Sequence, residues 1–119
     1  MSDFCQAQGL RKSWEFDQIF RTGVRVNGEL VRLLYLKNDG TREIKFAPAV
    51  GKRLGKAHLR NRGKRILRAA FRQLMEQKKI IPGVSIVLSL KEKGLGAKTQ
   101  DIHEELERLL GRKNLIEKN

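Results

Sequence analysis

Lys56-Ala57-His58-Leu59-Arg60-Asn61-Arg62-Gly63-Lys64-Arg65-Ile66-Leu67-Arg68-Ala69-Ala70-Phe71-Arg72 reads as the middle of one helix with two unlike sides. On a wheel of roughly 100° per residue, Arg60, Asn61, Lys64, Arg65, Arg68 and Arg72 share an arc of about 140°. Leu59, Ile66, Leu67, Ala70 and Leu74 share the opposing arc. The spacing predicts a helix from about Ala57 to Gln77 that packs one side on a sheet and presents the other. Solvated helix faces normally interleave Glu with Lys, because like charges at i, i+4 repel by a few tenths of a kcal/mol per pair. Here that compensation is missing: from Ile44 to Met75 there are ten Lys or Arg residues and no Asp or Glu. The chain has 26 basic and 13 acidic residues, net +13, so this segment supplies +10 and the remainder +3. Cations concentrated on one element neutralise several phosphates at once and release their counterions, which points to a nucleic-acid docking face.

Working outward, the flanks predict one α+β domain. At 119 residues the chain can bury a single core. Ser13 is a candidate N-cap for a helix carrying Phe16, Ile19 and Phe20, with Gly23 as its stop. Val24 to Val26 is extended, Asn27-Gly28 is a turn signal, and Leu30 to Lys37 alternates as a strand. Asn38-Asp39-Gly40 is read as closing a hairpin to a strand over Glu43 to Val50, where Pro48, lacking a ladder donor, suggests an edge or irregular position. After the basic helix, Pro82-Gly83 breaks the chain before a buried strand, Val84 to Leu90. Thr99 is a candidate N-cap for a last helix striped by Ile102, Leu106, Leu109 and Leu110, with Gly111 as its end. The order is αββαβα, with a single sheet of about four strands packed with three helices. Residues 1–10 and 113–119 are expected to be loosely ordered.

Composition narrows the chemistry. The single Cys5 has no internal disulfide partner, and neither His58 nor His103 has Cys neighbours at metal-ligand spacing. No pair of carboxylates accompanies the basic segment, so the makings of a two-metal nuclease centre are absent from it. With one Trp, one Tyr and five Phe, phosphate contact should outweigh base stacking. The longest apolar stretches, such as Val84 to Leu90, fall far short of a span of about 20 residues, so no membrane is expected and the chain is read as soluble and cytoplasmic. Trp14 and Tyr35 are expected in the core, and His103, Glu104, Glu105 and Glu107 on the solvated side of the last helix.

Arg60-Asn61-Arg62, followed by Lys64-Arg65, Arg68 and Phe71-Arg72 and preceded by Gly55-Lys56-Ala57, resembles the "RNR" signature of the protein subunit of bacterial ribonuclease P. Phe16 and Phe20 ahead of Gly23 and Arg25, the Pro82-Gly83 turn into Val84-Ser85-Ile86-Val87, and a Leu-rich last helix follow the family's order over nearly the whole chain. The sequence departs from the pattern at Gly63, where the family has an aliphatic residue and where Gly costs roughly 1 kcal/mol against Ala in a helix interior. Ala69, Pro48 and Leu34 depart as well, the last standing at the family's strand tyrosine.

The resemblance implies a left-handed crossover around the basic helix and a protein that assists a catalytic RNA. That RNA uses its own bound Mg2+ to remove the 5′ leader from precursor tRNA, with no cofactor on the protein. It further implies an RNA-binding set of Lys52, Arg53, Lys56, Arg60, Asn61, Arg62, Lys64, Arg65, Arg68 and Arg72. A leader-binding set of Phe16, Phe20, Arg32 and Leu34 would lie between the first helix, the sheet and the RNR region, with no DNA expected. Two other classes share the charge pattern: a structural RNA-binding protein such as a small ribosomal protein, and a self-contained nuclease. The Arg60 to Arg72 spacing with Phe16 and Phe20 ahead of it separates the ribonuclease P reading from the ribosomal one. Metal-dependent cleavage by the isolated protein would mark the nuclease.

Overall fold

The computed structural model describes residues 8–9, 13–38, 40, 42–77, 80–113 and 115–116. Its elements are β1 (Gln8–Gly9), α1 (Ser13–Thr22), β2 (Val24–Asn27), β3 (Val31–Lys37), β4 (Ile44–Ala49), α2 (Ala57–Glu76), β5 (Val84–Leu90) and α3 (Thr99–Arg112). The class is α+β as expected, with four principal strands and the two-residue β1 added at one edge in the order β1-β4-β5-β3-β2. The strand β5 lies in the middle, antiparallel to β3 and parallel to β4, and α2 supplies the crossover between the two parallel strands.

That order corrects the hairpin expected at Asn38-Asp39-Gly40. The backbone N–H of Asn38 donates to Gly83 O at 2.7 Å, so β3 hands on to β5 rather than to β4. The Asn38 side chain does make a local turn, accepting from Gly40 N at 2.9 Å, but the chain leaves that turn to pair elsewhere. The actual hairpin joins β2 to β3, with Asn27 opposite Arg32. Pro48 lies opposite Leu88 in the β4–β5 ladder, beyond the two β4 residues that pair with β1.

One face of the sheet, carrying Val31, Leu33, Tyr35, Ile86 and Leu88, forms the main core with α2 and α3. The helix α2 contributes Leu67, Ala70, Phe71, Leu74 and Met75, and the Phe71 ring stacks on Phe46 with centroids 4.0 Å apart. Leu59, expected on the apolar side, is 39% exposed in the first turn. Gly63 is buried in that helix because a Cβ there would stand 2.8 Å from Leu90 Cδ2 and 3.2 Å from Val50 Cγ2. The missing side chain is the condition for this close approach.

The stripe of Ile102, Leu106, Leu109 and Leu110 is buried as expected, but two of its polar neighbours are not solvated. Glu105 is 4% exposed, and its carboxylate accepts from the backbone N–H of Glu29 at 3.0 Å and of Leu30 and Val31 at 2.8 Å each. It caps the β2–β3 turn, and Gly28 leaves room for it. His103 is 7% exposed, and among the described residues neither ring nitrogen has a hydrogen-bond partner. Glu104 is exposed as expected, and Glu107 is half-buried. The N-cap of α3 is Lys98, whose backbone N–H donates to Asp101 Oδ2 at 3.2 Å, and the helix continues one residue past Gly111.

The expected looseness of the termini needs correction at five residues. Gln8 and Gly9 pair in parallel with Lys45 and Phe46, and Leu115 is fully buried, its carbonyl accepting from Ile81 N at 2.9 Å while Ile116 bridges Ile80. Lys113 closes α3, its N–H donating to Leu110 O at 3.2 Å; the other residues of that expectation, and the Ser13 side chain as a cap, lie outside the described residues. Tyr35 is buried as expected, whereas Trp14 is 58% exposed, because the inward face of α1 is carried by Ile19 with Phe16 beside it.

Candidate nucleic-acid interface

Strand register arranges the second face of the sheet in rows. Lys45, Ser85 and Leu36 form one, Ala47, Val87, Leu34 and Arg25 the next, and Ala49, Ser89, Arg32 and Asn27 the third. The helix α1 crosses this face with Ile19 seated on the middle row, in a small core with Leu34, Ala47 and Val87. Leu34 is therefore 4% exposed and supports the surface instead of forming it, a correction to its place in the leader-binding set. Helical spacing puts Phe16 and Phe20 on the flank of α1 toward the third row and Glu15 on the opposite flank. Phe16 is half-buried with Ala49 beside the same core, and Phe20 is 50% exposed. Their rings lie 6.4 Å apart at 23°.

The third row leads from these rings to the basic helix. Arg32 is exposed, with its guanidinium steadied by a 3.0 Å bond from Nε to Asn27 Oδ1. A shallow cavity of about 320 Å3 joins Arg32 and Ser89 to Arg53 and Leu54 in the turn before α2. Arg25, exposed on the outer end of the middle row, was not among the expected site residues. Its alternation with Arg32 across the Asn27-Gly28 turn is the signal that would have found it.

On α2, Asn61, Arg62, Arg65, Arg68 and Arg72 are exposed, Arg60 and Lys64 half-buried, and Lys52, Arg53 and Lys56 exposed just ahead of the helix. Arg60 donates from Nε to Gly55 O at 3.2 Å, which orients its guanidinium along the first turn. Among the described residues, no carboxylate pairs with any of these ten side chains. The helix begins without a side-chain cap and without an acidic residue in its first turn. Free N–H groups at a positive helix end, ringed by cations, favour an incoming anion. His58 is exposed beside them.

Lys45 belongs to the same basic segment but faces the other way. It pairs with Glu15 of α1, and this hydrogen bond, with the charges of Glu15 and Glu43, holds its ammonium pKa above the ordinary 10.5 despite some desolvation. The pair fastens α1 to the sheet. Among the described residues no group of three His, Cys, Asp or Glu could hold a metal ion, and no helix is long and apolar enough to cross a membrane.

A ribonuclease P family model matches residues 4–114. The ribonuclease P protein component of a Nitratiruptor species is 31% identical over 105 residues, covering 88% of this chain and 91% of that protein. The corresponding component of Clostridioides difficile is 28% identical over 113 residues, covering 95% and 97%. Among solved structures, the RNase P protein from Thermotoga maritima superposes with a TM-score of 0.76 at 28% identity, over 88% of this chain and 96% of that one. The Staphylococcus aureus RNase P protein gives 0.75 at 21% identity, over 94% and 100%, a likeness of fold alone. Basic helix, sheet order and sequence match agree along nearly the whole length, and the chain belongs to the ribonuclease P protein family.

Proposed function

We propose that this chain is the non-catalytic protein subunit of a ribonuclease P ribonucleoprotein, docking α2 on the catalytic RNA and holding the 5′ leader of precursor tRNA on the strip between α1 and α2. The observation that carries the reading is the uncompensated basic face of α2, continuous through Arg53 and Arg32 with the paired rings of Phe16 and Phe20. Lys64, Arg65, Arg68 and Arg72 suit the phosphates of a folded RNA, with Arg forks able to take two oxygens each. Asn61 both donates and accepts, so it fits a sugar or base edge. The third row and the two rings fit a single strand, whose bases can stack while its phosphates follow Arg32 and Arg53. Bound magnesium ions supply the hydrolytic chemistry, and they are assigned to the RNA. The protein's contribution is to position the leader and neutralise phosphates that would otherwise repel.

The test is affinity of the reconstituted holoenzyme for precursor tRNA compared with mature tRNA. Phe16→Ala and Phe20→Ala should each weaken precursor binding by roughly 1–3 kcal/mol, the scale of base–aromatic stacking, while leaving mature-tRNA binding intact. Equal losses with and without a leader would return both rings to a packing role. A structural RNA binder of ribosomal type would show no preference for the leader at all.

A further inference from the structure

On the far flank of α1, away from Phe16 and Phe20, lies a second cavity of about 320 Å3 that the proposed function does not use. Its floor is the row of Lys45, Ser85 and Leu36, and Trp14, exposed on α1, is part of its lining. Trp14 is the most exposed of the large apolar side chains among the described residues, and the packing of α1 does not require it because Ile19 fills that role. Gln18 and Lys37 also line the cavity, both exposed and with side chains that have no partner among the described residues. Asn38 has its oxygen committed to Gly40 N, which leaves its NH2 to donate.

Charge narrows the ligand. Lys45 meets Glu15 in the floor, and Glu43, also on the lining, acts on Lys45 as well. With Lys37 the lining carries two cations and two carboxylates, so the cavity has no net charge to gather several phosphates. An aromatic plate, amide donors and one cation over a neutral floor suit a base carrying a single phosphate.

We propose that this cavity binds one nucleotide of single-stranded RNA, with a purine stacked on Trp14, its edge toward Gln18 and Asn38, and its phosphate at Lys37. The assignment rests on the reading of the chain as an RNA-binding subunit. The nucleotide comes from the leader beyond the α1–α2 strip or from a single-stranded segment of the catalytic RNA, and the experiment separates these sources.

Trp14 is the chain's only Trp, so its fluorescence reports on this site alone. Titrating the full-length protein with single-stranded oligoadenylate should quench it saturably, and more tightly than oligouridylate. Lys37→Ala should weaken that binding about tenfold and Gln18→Ala about threefold, in keeping with a charge-assisted and a neutral hydrogen bond. Glu104→Ala, on α3 and outside both the cavity and the leader strip, should leave it unchanged, and because the readout is at Trp14, failure here stays distinct from failure of the leader strip. In the holoenzyme, a quench that requires an extended leader assigns the nucleotide to precursor tRNA, and one produced by the catalytic RNA alone assigns it there. No saturable quench, a quench indifferent to both Lys37→Ala and Gln18→Ala, or one seen with neither RNA in the holoenzyme would overturn the proposal.

Discussion

Glu105 shows how much one buried side chain can organise. Three backbone N–H groups of the β2–β3 turn end on its carboxylate, and Lys91 closes the same turn from the other side by donating from Nζ to Gly28 O at 2.6 Å. Glu105→Ala would leave those donors without an acceptor and should destabilise the protein by about 2–4 kcal/mol, read from denaturant unfolding. Gly63 tests close packing in the opposite sense. Ala should gain roughly 1 kcal/mol of helix propensity there. Its Cβ must instead displace Leu90 and Val50, an overpacking cost of about 1–3 kcal/mol, so Gly63→Ala should fail to stabilise and should lower the melting temperature. The Lys45–Glu15 pair gives a pH dependence. Because the folded pKa of Lys45 is raised, its contribution is complete below the unfolded value near 10.5 and is lost as pH rises through the folded value. Trp14, on the same helix, should report loosening of α1 above pH 10.5, and Glu15→Gln should remove that transition.

At the scale of elements, α2 was legible because its charge and apolar periodicity are local and strong. The alternation over β3 and the stripe on α3 were legible for the same reason. Position within the sheet was not. Nothing local to Asn38 says that its N–H will find Gly83, since insertion of β5 between β3 and β4 is decided by pairing across distant chain. Polar residues misled where they were buried, at His103 and Glu105, and an aromatic misled where it was exposed, at Trp14. Within the candidate site, the α2 cations and the Phe16–Phe20 pair could be read from spacing and resemblance, but the seating of Leu34 under Ile19 required the fold. The α2 surface makes its own prediction. Replacing Arg62, Arg65 or Arg68 by Ala should weaken binding to the catalytic RNA and reduce the salt slope by about one phosphate each, whereas Glu104→Ala on α3 should do neither. Equal effects from both helices would indicate diffuse attraction only.

Over the whole molecule, charge is segregated. The segment from Ile44 to Met75 carries +10 with no acid, while α3 holds Asp101, Glu104, Glu105 and Glu107 against Arg108 and Arg112. Such a molecule is drawn to polyanions by one side, and in its free state that side repels itself. Raising ionic strength should therefore raise the melting temperature of the isolated protein while weakening its binding to RNA, two trends of opposite sign. The central claim is that the protein assists an RNA catalyst by holding leader and RNA together. Its most direct measurement is precursor-tRNA cleavage by a bacterial ribonuclease P RNA at low magnesium, with and without this protein. Cleavage at the leader junction that depends on the protein at low magnesium, is lost when Arg62, Arg65 and Arg68 are replaced together by Ala, and never occurs with the protein alone is the predicted result. Cleavage by the RNA that is indifferent to the protein, or cleavage by the protein without RNA, would contradict it.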